Sequence, residues 1–191
     1  VLFPDRAPAA VTSLDERITL LAECGVAGVL VLAFTAELAQ QTPEEFVGGV
    51  FVNALQARCV VVGQDMRFGV RNSGNADTLR GLGAEHGFDV VVLPDVGQGG
   101  RWSSTQLRAL IAAGDMTAAA HVLGRPHRLT GVVVHGDHRG RLLGFPTANL
   151  APDSSGLVPA DGVYAGWLVR LDVPHGGLDR VLPAAISIGT N

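Results

Sequence analysis

Cys59-Val60-Val61-Val62-Gly63-Gln64-Asp65-Met66-Arg67-Phe68-Gly69 is the stretch whose reading decides the fold. A short valine run without polar alternation suits a strand covered on both faces, as in parallel sheets. It breaks at Gly63, and in open α/β sheets the carboxyl ends of strands face the ligand crevice. Gly63 and Gly69 let the backbone turn and approach a ligand closely. Asp65 offers a carboxylate to a ribose, an amine or a metal. The same residues also read as an ordinary strand-to-loop turn carrying a solvated acid.

Helix and strand signals alternate on either side of this stretch. Ser13 and Glu16 form a capping-box pattern, with Leu14, Ile18 and Leu21 at helical spacing and Gly25 as the stop. Val26–Phe34 is a continuous apolar run and is expected to be a buried strand. Thr42-Pro43-Glu44-Glu45 starts a second helix, expected to run to about Leu55. Further helices are expected from Asn75 to His86, Ser104 to Ala113 and Asp115 to Leu123, with a strand at Phe88–Leu93. Such alternation predicts an α/β, doubly wound parallel, Rossmann-like sheet. The pattern changes after Arg125-Pro126. Leu129–His135, Gly162–Leu171 and Leu182–Ile188 read as strands between Gly-, Pro- and Asp-rich turns, which suggests part of a small antiparallel β-barrel. The expected domains are therefore 1–123 and 124–191.

Composition narrows the function classes. The 191 residues are 47% hydrophobic and 17% charged, which excludes a disordered chain. The longest apolar runs fall far short of the ~20 residues of a membrane span. No signal-like segment opens the sequence, so a cytoplasmic location is expected. The net charge of -4, the scattered basic residues and the 5% aromatic content argue against nucleic-acid or anionic-membrane surfaces. All 14 basic residues are arginine, which rules out lysine-dependent chemistry. Cys24 and Cys59 read as buried free thiols in a reducing compartment.

Two further motifs carry possible chemistry. In Trp102-Ser103-Ser104-Thr105-Gln106-Leu107-Arg108, three hydroxyl residues open a helix and an arginine follows one turn in. Free amides at a helix start suit phosphate, and Arg108 can fork onto its oxygens. A plain helix cap with a surface arginine has the same grammar. Between Gly131 and Asn149 a strand runs into a Gly/Arg-rich loop and then Pro146-Thr147-Ala148-Asn149. Gly136, Gly140 and Gly144 permit close wrapping over a polyphosphate, and Arg139 and Arg141 can neutralise it. Thr147 and Asn149, two residues apart on an extended segment, point to one side and supply hard oxygen ligands of the kind Mg²⁺ prefers. A mobile hairpin loop is the competing reading. His135 and His138 read as solvated loop residues rather than zinc ligands, and Gln98-Gly99-Gly100 as a flexible connection.

In this order, the motifs resemble the bacterial bifunctional riboflavin kinase/FMN adenylyltransferase (FAD synthetase) family across nearly the whole chain. The carrying residues are Thr12–Arg17, Phe34-Thr35, Thr42–Val47, Gly63–Gly69, Ser103–Arg108, Gly124-Arg125-Pro126 and Gly144–Asn149, the last being the most specific. The resemblance implies a nucleotidyltransferase sheet that transfers AMP from ATP to FMN, giving FAD. It also implies a kinase module that phosphorylates riboflavin to FMN. ATP, riboflavin and FMN are then substrates and Mg²⁺ the cofactor. By resemblance, Gly63, Asp65, Phe68, Ser103, Ser104, Thr105 and Arg108 would bind ATP or flavin for adenylylation. Gly136, Arg139, Arg141, Thr147 and Asn149 would bind ATP in the kinase, with Thr147 and Asn149 holding the metal.

The sequence departs from that pattern at both ends. The family's Gly-x-Phe-Asp-Gly-like turn and His-x-Gly-His element have no match, and the kinase's carboxylate base is expected beyond Asn191. The 191 residues alone are therefore expected to turn over poorly in either reaction. A non-catalytic nucleotide- or flavin-binding fragment, or an adenylyltransferase for another small substrate, remains open. The oligomeric state is not specified by the sequence.

Overall fold

A computed structural model describes residues 7–97, 100–136 and 147–189. The chain divides into two compact units. One holds residues 7–8 with Gly28–Trp102, the other Ala9–Ala27 with the described residues from Ser103 onward.

The first unit is built on two strands, β1 (Cys59–Gly63) and β2 (Asp89–Leu93), paired in parallel from Cys59↔Asp89 to Gly63↔Leu93. Parallel neighbours need a crossover rather than a tight turn. Here it includes a 3₁₀ turn, Val70–Asn72, and the longest helix of the unit, Ala76–His86. That helix starts because Asn75 Oδ1 accepts the amides of Asp77 and Thr78, each at 2.9 Å. Its inner face places Leu79 and Leu82 in a core with Val47, Val60, Phe68 and Phe88. Ahead of β1 lie a short helix, Ala36–Gln40, and the Thr42-capped helix Pro43–Phe46, where Thr42 and Glu45 complete a capping box. The expected helix to about Leu55 continues with the wider π winding over Val47–Ala54. Gly48 and Gly49 sit where the winding changes, and adjacent glycines weaken the α preference there.

Two expectations for this sheet are corrected. Val26–Phe34 joins no ladder, and it is exposed, with Val31 at 51% and Phe34 at 59%. Valine content favours a pleated surface but does not supply hydrogen-bonding neighbours, and the described parallel sheet has two strands only. Nor are β1 and β2 covered on both faces. Val60 is buried against the core while Val61 is 57% exposed.

The second unit contains a helix at Leu14–Glu23, capped by Ser13, and the pair Ser104–Ala112 and Met116–Leu123. Leu107, Ile111 and Ala119 are its buried centre, joined by Val11, Leu110, Met116, Val122, Leu123 and Leu157. Beyond it, β3 (Val133–Val134) pairs antiparallel with β4 (Asn149–Leu150), and β5 (Gly162–Val169) with β6 (Val181–Ile188). The Tyr164 hydroxyl donates to Ala160 O at 2.6 Å, and the Ala160 amide donates to Ile111 O at 3.3 Å, which ties β5 to the helix pair. The strands after Arg125 are thus antiparallel as expected. Closure into a barrel is not formed among the described residues, whose sheets are separate pairs.

Both cysteines are free, as expected, but exposed rather than buried. Cys24 caps the C-terminus of the first helix and Cys59 begins β1 on the outward side of the alternation, so their apolar neighbours in sequence are not their neighbours in space. No helix among the described residues is long and apolar enough to cross a membrane.

Leu79 is fully buried and Asn75 holds two amides, so their losses should separate in urea unfolding. Leu79→Ala is expected to cost about 2–5 kcal/mol and Asn75→Ala about 1 kcal/mol.

Candidate functional site

At the carboxyl ends of β1 and β2 the first unit gathers a polar cluster. The Gln64 amide extends the sheet by donating to Leu93 O at 3.1 Å, and its Nε2 donates to Asp95 Oδ2 at 3.0 Å. Arg101 lies between two carboxylates, 2.5 Å from Asp65 Oδ2 and 3.6 Å from Asp95 Oδ1. The hydrogen bond and charge of Asp65, with Asp95 behind, raise the guanidinium pKa above its ordinary value. All three side chains are partly exposed. Ion pairs in such a setting add little stability. A ligand can therefore exchange for either partner: carboxylates accept from hydroxyls or amines, and the guanidinium donates to phosphate.

Sequence reading placed Gly63 and Asp65 here. It missed Gln64, Asp95 and Arg101, although Asp95 lies just past the second strand by the same edge rule. Phe68 is placed otherwise: its ring is buried in the core, with Phe46 6.1 Å away. It braces the loop from below. Gly69 closes that loop with φ of 72°, in the left-handed region glycine tolerates, over the ring of Pro43.

In the second unit, Ser103 is the cap of the Ser104–Ala112 helix, its Oγ accepting from Gln106 N at 3.1 Å. Ser104 and Thr105 form the exposed first turn. Arg108 donates through Nε to Ala9 O at 2.8 Å, which anchors the segment before the Leu14–Glu23 helix. Ser104 and Arg108 line one cavity of 390 Å³ together with Ala10, Val11, Thr12, Arg17, Leu107, Leu123 and Arg125. Such a volume suits a small ligand. The structure thus brings the expected hydroxyl and arginine together and adds two further arginines. Glu16 does not complete the expected capping box. Its carboxylate faces Arg125 instead, at 3.6 Å.

A third set lies on β3 and β4. Asn149 pairs with Val134, and Gly136 lies two residues on, so close to the Asn149 amide that a Cβ there would collide with it. Thr147 and Asn149 are both exposed. Arg139 and Arg141 lie outside the described residues. Among the described residues no cluster of three His, Cys, Asp or Glu side chains could hold a metal. That leaves the hydroxyl and amide oxygens as the donors at this site.

The first unit carries polar groups at the ends of its parallel strands, and the strands after Arg125 pair antiparallel. Two family models match accordingly: FAD synthetase over residues 1–106 and riboflavin kinase over 123–191. The chain belongs to the FAD synthetase family. It is 38% identical over 187 residues to a bifunctional riboflavin kinase/FMN adenylyltransferase of Escherichia coli, covering 97% of this chain and 58% of that protein. The protein so named from Pseudomonas fluorescens is 39% identical over 171 residues, covering 89% of this chain and 53% of the relative. The chain therefore spans little more than half the length of these relatives. Among solved structures, a macrolide-efflux protein from Streptococcus pneumoniae matches with a TM-score of 0.82 at 31% identity, over 96% of this chain and 57% of that one.

Because the Arg101–Asp65 pair is solvent-screened, Asp65→Asn should change the unfolding free energy by less than about 1 kcal/mol. A larger loss in a urea titration would make the pair a structural element instead of a ligand-exchangeable one.

Proposed function

We propose that the protein takes part in FAD synthesis from riboflavin, with residues 1–123 contributing to FMN adenylylation and 124–191 to riboflavin phosphorylation. The observation that carries the first half is the conjunction of Ser104 and Arg108 on one cavity at a helix start. Matches to both family models on the corresponding stretches support the pairing of activities.

In adenylylation an FMN phosphate oxygen attacks the α-phosphorus of ATP, and pyrophosphate leaves. Negative charge gathers on the phosphates, so the chain's part is positioning and electrostatics. The first-turn amides of Ser104 and Thr105, with the Arg108 guanidinium, would take phosphate oxygens. Ser103 would act indirectly, since its hydroxyl is occupied in fixing the helix start. By the family resemblance, Gly63 and Asp65 of the first unit would contribute to nucleotide or flavin binding, Asp65 by accepting a hydrogen bond from a hydroxyl or amine.

In phosphorylation the riboflavin hydroxyl attacks the γ-phosphorus and ADP leaves. Thr147 and Asn149 would hold Mg·ATP, and the set fits that ion: neutral oxygen donors, with Gly136 leaving the room the Asn149 amide occupies. Bound Mg²⁺ would neutralise charge on the phosphates. Gly136 admits the close approach, and Arg139 and Arg141, a few residues further along the sequence, would add charge.

In the full protein, Thr147→Ala or Asn149→Ala should lower FMN formation about a hundredfold or more while FAD formation from supplied FMN persists. Arg108→Ala should reverse this, raising the ATP requirement of adenylylation alone. Equal loss of both activities in a folded variant would overturn the assignment of modules.

A further inference from the structure

The loop that carries Asp65 is seated on one helix of its own unit. Phe68, three residues after Asp65, has its ring centre 6.1 Å from that of Phe46. Gly69 packs on Pro43, whose ring a Cβ at Gly69 would approach to 2.8 Å. The Val70 amide donates to Gln41 O at 2.7 Å. Gln41, Pro43 and Phe46 belong to the start of a single helix, and Met66, next to Asp65, packs on the same core. The place of the Asp65 carboxylate therefore depends on where that helix start stands.

The helix continues as the π-wound segment Val47–Ala54, where Leu55 N donates to Val50 O at 3.0 Å. In π winding each turn closes on the fifth residue, so residues five apart share a face. In an α-helix, at about 100° per residue, they stand about 140° apart. Two such pairs face inward here. Phe46 and Phe51 meet edge to face at 5.6 Å, and Val47 and Val52 both belong to the core. Phe51 also meets Phe88, just ahead of β2, edge to face at 6.4 Å. The rings form a chain, Phe88 to Phe51 to Phe46 to Phe68, that ends beneath the Asp65 loop. Rewinding the segment as an α-helix would turn Phe51 away from Phe46 and break the chain at its middle.

We infer that Phe51 is a positioning residue for Asp65, acting through Phe46 and Phe68, and that the π winding of Val47–Ala54 presents its ring to that chain. For its physiological ligand the inference rests on the adenylylation reading. A carboxylate that orients a ligand by a hydrogen bond depends on direction, so loosening its loop weakens binding without touching the phosphates. The contact chain itself is tested without any turnover.

The test compares Phe51→Met with Phe51→Tyr in the full protein, each checked by thermal melting. Phe51 is only partly buried, methionine keeps apolar bulk without a ring, and tyrosine keeps the ring, so both variants should fold. In Phe51→Met, hydrogen exchange at the Phe68 and Val70 amides is expected to quicken about tenfold while the β1–β2 ladder is unchanged. Phe51→Tyr should exchange as the parent does. In adenylylation, Phe51→Met should raise the KM of the substrate that Asp65→Asn also weakens by about tenfold, the size of one charge-assisted hydrogen bond, at unchanged kcat. Riboflavin phosphorylation should not move. Added to Asp65→Asn, Phe51→Met should cost less than about twofold more, because both act on one carboxylate. A merely structural Phe51 would speed exchange throughout the unit, or add its full loss to that of Asp65→Asn, and either result overturns the inference. Unchanged exchange at Phe68 and Val70 overturns it as well. A loosened loop in Phe51→Met of a protein that makes no FAD from FMN and ATP would uphold the contact chain and remove the adenylylation reading.

Discussion

Everything in the first unit depends on the parallel pairing of two valine-rich strands. Because β1 and β2 run the same way, their carboxyl ends lie side by side, and the chain must cross between them by a helix that brings Leu79 and Leu82 onto the sheet. The register Gly63↔Leu93 then decides where the polar residues fall. Gln64 and Asp65 follow one strand, Asp95 follows the other, and the chain returns Arg101 to both carboxylates. The cluster is thus a consequence of strand direction. An antiparallel pair would have sent Asp65 and Asp95 to opposite ends.

The second unit solves a similar problem with helix starts. A helix beginning leaves amides without partners and a partial positive charge. Ser103 satisfies one amide, and the first turn beyond it stays exposed. With no lysine anywhere in the chain, every added positive charge is a guanidinium. That choice has a structural side. Arg108 anchors the backbone of Ala9 with one nitrogen and keeps the remainder for the cavity, a division of labour a single ammonium performs less well. The anchor therefore also lines the cavity, and removing it loosens the wall as well as the charge.

Local grammar was legible in the sequence wherever the physics is local. Ser13, Thr42, Asn75, Ser103 and Asp115 all cap helices, and β1 and β2 fall where valine runs mark them. What failed needed a partner distant in sequence. Val26–Phe34 has the composition of a core strand, yet a strand is defined by its neighbour, and none is described beside it. Thr42 and Glu45 close a capping box while the equivalent Ser13 and Glu16 close only half of one, because Arg125 competes for the second carboxylate. The same tertiary competition hid Asp95 and Arg101, each unremarkable among its sequence neighbours. Phe68, inside the Gly63–Gly69 motif, has its ring in the core.

The β3–β4 site turns on what glycine leaves out. Gly136 lies against the Asn149 amide at a distance that a methyl group would occupy, so the two positions are coupled sterically as well as by the ladder two residues away. A side chain at 136 would displace Asn149 from its place, whatever its charge or polarity. Neutral oxygen donors such as Asn149 and Thr147 bind a hard cation weakly by themselves, and their value lies in fixed direction. The glycine leaves the amide the room it occupies. The strand pairing and the missing Cβ thus act on the same residue, the first through the Asn149 backbone and the second through its side chain.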